Sequence, residues 1–151
     1  MRPGASTQKN MQTNMKNWRL LIALMALGMA LACPAQTIKN TNQSVVAKIE
    51  ADGTVRNSNH SVIARISSNG DIRDSNNHLL GTIAADGVVR DTRQSVIGRV
   101  EANGTVRNSN NSVIGRVGSD GAVRDTNNRV IGYAKGVPTR YAAIYFFFNF
   151  F

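Results

Sequence analysis

The sequence predicts an all-β fold in which five 17-residue β-hairpin repeats close around a pseudo-five-fold axis. Three observations carry this. Glycine recurs at 53, 70, 87, 104 and 121, a spacing of seventeen held without slippage. Each of these glycines follows Asp or Asn and is flanked by short β-branched runs, such as "SVIGRV" (95–100) before and "GTVRN" (104–108) after. Between the hairpins lie Asn/Ser/Thr-rich segments, "NSNHS" and its copies, which read as loops.

The chain opens in another style. A short basic stretch, Met15 to Arg19, precedes thirteen uncharged residues, Leu20–Ala32, and then the small residues Ala32, Cys33 and Ala35. That is the layout of a signal peptide, and the apolar run is shorter than the ~20 residues of a membrane-spanning helix. Residues 1–35 are therefore read as a signal peptide and 36–151 as the β-hairpin repeat domain. The polar residues 1–14 read as an over-long n-region or a start assigned too early. Cleavage after Ala35 begins the mature chain at Gln36, where the repeat phase also starts. The rival reading lipidates Cys33, but "ALA" before it lacks the usual upstream Leu or Val. The expected address is export to the periplasm, the outer membrane or beyond. Cys33 is the sole cysteine, so no disulfide supports the domain.

Asp or Asn before Gly favours a type I turn closed by a glycine bulge, and two β-branched runs around it form a hairpin. A lone hairpin is only marginally stable in water, so neighbours must pack on one another. The five turns, Gly53, Gly70, Gly87, Gly104 and Gly121, are nearly interchangeable, which argues for closure rather than an open rod. Closure also removes strand edges that invite aggregation. A first partial copy, residues 38–49, is expected to supply a strand pair at the edge.

Register then places like charges opposite one another. A three-residue loop at 51–53 sets Lys48 against Arg56; the same arithmetic pairs Arg65 with Arg73, Thr82 with Arg90, Arg99 with Arg107 and Arg116 with Arg124. Like charges directly opposite are destabilising. Three explanations are open for the repeat arginines Arg56, Arg73, Arg90, Arg107 and Arg124. Asp74, Asp91, Asp125 or the turn carboxylates neutralise them; their stems cover apolar surface; or they hold an anion or other ligand.

All five Phe and all three Tyr lie from Tyr133 onward, beyond the core repeats. Hairpins lined with Val, Ile, Ala and Gly leave a void along the axis, and protein interiors tolerate few voids. Residues 141–148, with Tyr145, Phe146, Phe147 and Phe148, are expected to pack on the repeats. Read as a strand, this segment has two apolar faces to cover. A docking tail is the competing reading. A membrane-barrel strand fits poorly, since such strands need about 9–11 residues.

The wording G-x-[VI]-R-[DN] … VIGR[VI] resembles that of the bacterial five-fold β-flower proteins. The resemblance runs from residue 36 to the C-terminus. It implies a secreted all-β domain of five hairpin petals and implies no activity. Thr82 in place of Arg, and Leu79-Leu80 in place of Val-Ile, depart from the wording.

Function classes narrow by exclusion. Residues 36–151 hold 14 Lys and Arg against 9 Asp and Glu, a formal +5 spread evenly over the repeats. Nucleic-acid binding expects a clustered patch with stacking aromatics, so none is expected. His60 and His78 occupy different repeat positions, and the "DG" aspartates fit no calcium loop, so neither metal nor cofactor is expected. Ser61, Ser95 and Ser112 have no histidine in register, and an enzyme needs a residue that breaks the repeat. The expected protein is a non-catalytic exported module that binds an envelope protein or glycan. The alternatives are a structural component of the envelope or an anionic-glycan binder working through the repeat arginines.

Overall fold

The structure is a computed structural model that describes residues 36–151; residues 1–35, for which a signal peptide is the sequence expectation, lie with Cys33 outside the described residues. These residues form twelve strands and one helix. In order they are β1 (Gln36–Lys39), β2 (Val45–Ile49), β3 (Thr54–Asn57), β4 (Val62–Ile66), β5 (Asp71–Asp74) and β6 (Leu79–Ile83). Then come β7 (Val88–Asp91), β8 (Val96–Val100), β9 (Thr105–Asn108), β10 (Val113–Val117), β11 (Ala122–Asp125), β12 (Val130–Tyr133) and α1 (Thr139–Phe147).

Each strand pairs antiparallel with its sequence neighbours, and β1 pairs with β12, so the sheet is a closed barrel. Five hairpins carry the glycine turns. Gly87 donates its N–H to Ala84 O at 3.0 Å with φ at +85°, a region that glycine enters without steric cost. A methyl at Gly87 would also run into the carbonyl oxygen of Val100 on the next hairpin. The turn residue is thus fixed twice, by its own backbone and by its neighbour.

The place of the partial first copy differs from the sequence expectation of an edge. Twelve strands close the ring, because the partial first copy does not end at an edge. Its strand β1 meets β12, with Lys39 opposite Tyr133. An unpaired β1 would leave a row of free N–H and C=O groups.

The loops at the other end repeat one device. Asn40, Asn57, Asp74, Asp91, Asn108 and Asp125 each accept two backbone N–H bonds through Oδ1, from the residues two and four further on. The residue three positions on from each cap, such as Asn111 at φ +63°, is left-handed. Within each loop-joined pair the register slips by one: Val55 faces Ala64 but Arg56 faces Val62, leaving Ile63 as a bulge. Bulges increase local twist, which helps a sheet close.

Three inward positions recur in every unit. One holds Ile38, Val55, Ile72, Val89, Val106 and Val123, all fully buried. The next holds Ile49, Ile66, Ile83, Val100, Val117 and Ala134. Each such aliphatic side chain contributes about 1.5–3 kcal/mol on burial. The third position holds Ala47 and Ala64, then Gly81, Gly98, Gly115 and Gly132.

Helix α1 shares one core cluster with these rings through Ala142, Ala143 and Ile144, each fully buried. It starts after Pro138, whose carbonyl accepts from Ala142 N at 3.1 Å, and ends before Asn149, which is left-handed at φ +45°. A strand was the form considered from the sequence; the segment is helical. In a closed barrel no strand edge remains to pair with it, and a helix satisfies its own backbone groups. From the last turn of α1 onward, the chain places a phenyl edge against each mid-strand glycine in turn. Phe146 lies at Gly132, Phe147 at Gly115, Phe148 at Gly98 and Phe150 at Gly81. A methyl on Gly98 or on Gly81 would come within 2.6 Å of the facing ring.

Candidate functional site

The outer face of the barrel is where charge gathers. Opposite residues across the hairpins are Lys48 and Arg56, Arg65 and Arg73, Thr82 and Arg90, Arg99 and Arg107, Arg116 and Arg124. The three-residue turn sets this register, and strand alternation turns these side chains outward while their neighbours line the core.

The repeat arginines occupy equivalent places and do not converge on a common cavity. Arg56, Arg73, Arg90 and Arg107 each donate Nη1–H to the carbonyl of the left-handed loop residue four positions on, at 2.9–3.1 Å. Carboxylates hold four of the five. Arg56 Nε lies 3.1 Å from Glu50, Arg73 Nη2 3.2 Å from Asp71, Arg107 Nε 2.6 Å from Glu101 and Arg124 Nη2 3.2 Å from Asp120. Arg90 has the loop carbonyl and no ion pair among the described residues. Among the described residues Asp74, Asp91 and Asp125 make no ion pair with an arginine of a neighbouring hairpin; their carboxylates cap the loops.

The arginines opposite them are less engaged. Arg65 and Arg99 donate no side-chain hydrogen bond among the described residues, and Arg116 reaches only Asn103 O at 3.4 Å. All three are exposed. The outer face also carries Val45, Val96 and Val113, exposed by 44–45%. A groove of about 380 Å³ crosses β7 to β9 and is lined by Val88, Arg90, Val96, Arg99, Glu101 and Asn108, among others.

Three carboxylates are shifted. The amide of His78 holds the carboxyl of Asp74 below the usual carboxylate range, with further help from the His78 ring, whose Nδ1 lies 3.1 Å from Oδ2. Asp52 is lowered by the Thr54 amide and hydroxyl, and Asp120 by the Ala122 amide and then Arg124. A carboxylate held below its unfolded value of about 3.9 stabilises the fold above that pH. The contribution is lost as pH falls through the folded value. Melting of the domain is therefore expected to weaken below about pH 4. Asn57 and Asn108 make the same cap as Asp74, so Asp74→Asn should melt as wild type at neutral pH and lose less in acid. An acid limb unchanged by Asp74→Asn would assign the effect to other groups.

His60 and His78 sit on separate loops, and no cluster of metal-ligating side chains occurs among the described residues. No helix of the described residues is long and apolar enough to cross a membrane.

This is a repeat protein of the closed antiparallel β class, whose outer wall, not an inner cavity, presents the polar groups. The profile of the family described as "5-fold beta-flower protein" matches residues 35–151. The chain belongs to that family. No curated protein and no solved structure matches it.

Proposed function

We propose that residues 36–151 are an exported, non-catalytic binding module of the cell envelope, and that its ligand is an anionic surface glycan held on the outer wall. One observation carries this reading: four of the five hairpins set two cations directly opposite each other on an exposed face. Such pairs cost stability, and exposed ion pairs return only about 0–1 kcal/mol. Arg65, Arg99 and Arg116 gain no carboxylate in exchange, so their use lies outside the fold's own stability.

In this reading the five covalent hairpins are the petals of the five-fold arrangement, with the β1–β12 pair as its closure. The aromatic C-terminal segment serves as the plug of the barrel, supported by the phenyl edges seated at the mid-strand glycines. Residues 1–35 act as the export signal, with cleavage after Ala35 in preference to lipidation at Cys33. A structural role in the envelope is the second reading, favoured by the exposed valines Val45, Val96 and Val113.

An array of polysaccharides separates the two. The binding module is retained by acidic polysaccharides at low salt, released by added salt, and passes over neutral dextran. Retention of envelope proteins from an extract, with no retention by any acidic polysaccharide, would replace it with the assembly role.

A further inference from the structure

The cations of the outer wall form two separate runs, and they are not equivalent. On β7 to β11 each strand contributes one arginine: Arg90, Arg99, Arg107, Arg116 and Arg124. Thr82 on β6 ends this run on one side and Tyr133 on β12 ends it on the other. The remaining run, on β1 to β5, is Lys39, Lys48, Arg56, Arg65 and Arg73.

Carboxylates are shared unevenly between the two. In that run Glu50 lies 3.9 Å from Lys48 and 3.1 Å from Arg56, and Asp71 lies 3.2 Å from Arg73, while Arg65 makes no ion pair among the described residues. Three of the five cations of that run thus have a carboxylate within 4 Å. In the run on β7 to β11 only Glu101 and Asp120 are engaged among the described residues, by Arg107 and Arg124. Asp86 stands at the turn end of the groove and accepts the Val88 amide at 3.1 Å, with no ion pair to Arg90 among the described residues. Arg90, Arg99 and Arg116 make no ion pair among the described residues.

Geometry then sets the shape of the ligand. Adjacent strands lie about 4.8 Å apart, so five guanidiniums on five successive strands make a row about 19 Å long. Arg99 faces Arg107 and Arg116 faces Arg124, while Arg107 and Arg116 are offset by the bulge, at a diagonal that long side chains span. A row of this kind suits an extended chain carrying repeated negative charges, not one compact anion. The flanking surface favours sugar over nucleic acid. Val96 and Val113 offer apolar contact to the C–H faces of sugar rings, and no aromatic of the row stacks a base.

We propose that the arginine row across β7 to β11 binds a linear acidic polysaccharide, the carboxylate or sulfate groups of successive residues lying along Arg90, Arg99 and Arg116. This rests on the binding-module reading above and assigns it one face and one partner class.

The test uses the variants Arg99→Thr and Arg116→Thr, since Thr82 already occupies that position on β6. Binding of the domain to polygalacturonate and to dextran sulfate is measured by isothermal calorimetry at low salt, beside neutral dextran. The two acidic probes separate carboxylate from sulfate preference. The double variant is expected to lose about tenfold in affinity, as two exposed charge contacts would give. Arg65→Thr, which leaves the row on β7 to β11 intact, is expected to change affinity less than about twofold. Thr82→Arg joins the two runs and is expected to tighten binding, which no loss of folding can imitate. Equal losses from Arg65→Thr and from the double variant would overturn the assignment to β7–β11 while leaving the binding module standing. Full affinity in the double variant would do the same. If the wild-type domain binds neither acidic probe, both fall together.

Discussion

Removing residues 137–151 is expected to abolish the cooperative unfolding of the domain. The segment supplies Ala142, Ala143 and Ile144, fully buried and in the same cluster as the inward strand residues. It also supplies Tyr145, Phe146, Phe147, Phe148, Phe150 and Phe151, which pack against that cluster. Burial holds the Tyr145 phenol above its usual range, so it stays neutral at physiological pH. The barrel's own third inward position consists of two alanines and four glycines, which fill little of the lumen. Removing a single buried Phe costs about 3–5 kcal/mol, and a domain of this size has about 5–15 kcal/mol in all. A loss on the scale of the whole stability should leave an expanded chain without a sharp melting transition. Calorimetry and size-exclusion chromatography of a chain ending at Gly136 check this. A folded, monodisperse product with an unchanged melting temperature would make the segment a docking peptide.

What could be read from the sequence follows from where the determinants lie along the chain. Hairpin register was legible, because the turn glycine and the loop length sit within ten residues of the pairs they set. Lys48 opposite Arg56 is such a case. The twelfth strand was not, since β1 and β12 meet through opposite ends of the repeat region and share no turn. The helical state of 139–147 was hidden because the segment is apolar nearly all round, which matches neither helix nor strand period. The fate of the repeat arginines was legible only in part. Sequence could count carboxylates, but the loop carbonyls that accept from Arg56, Arg73, Arg90 and Arg107 are exposed by left-handed residues such as His60 and Gln94. The set without carboxylates among the described residues, Arg65, Arg99 and Arg116, stands in the sequence as the cross-strand partners of Arg73, Arg107 and Arg124. Gly81, Gly98, Gly115 and Gly132 were also passed over. A glycine inside a strand weakens it and signals a close approach. Four such glycines, with four phenylalanines at 146, 147, 148 and 150, were a readable match.

That match gives the sharpest test of how the segment sits. Gly98→Ala alone should destabilise the domain by about 1–3 kcal/mol, the usual cost of overpacking. The added methyl meets the Phe148 ring within 2.6 Å and also presses on the Arg107 carbonyl of the next strand. The backbone can adjust at this repeat position: Ala47 on β2 and Ala64 on β4 carry a Cβ there and are fully buried. The ring at Gly98 is therefore the harder obstacle. Phe148→Ala alone removes a half-buried ring and should cost less than the ~3–5 kcal/mol of a fully buried one. The double variant relieves the clash with the very space the ring vacates. Its cost should fall short of the sum of the singles by about 0.5–3 kcal/mol, the range for residues in contact. Gly98→Ala combined with Phe146→Ala, whose ring faces Gly132 instead, should be additive within about 0.5 kcal/mol. Urea unfolding of the five variants measures both cycles. Additivity in the matched pair, or equal coupling in the mismatched one, would mean that the rings do not hold these seats in solution.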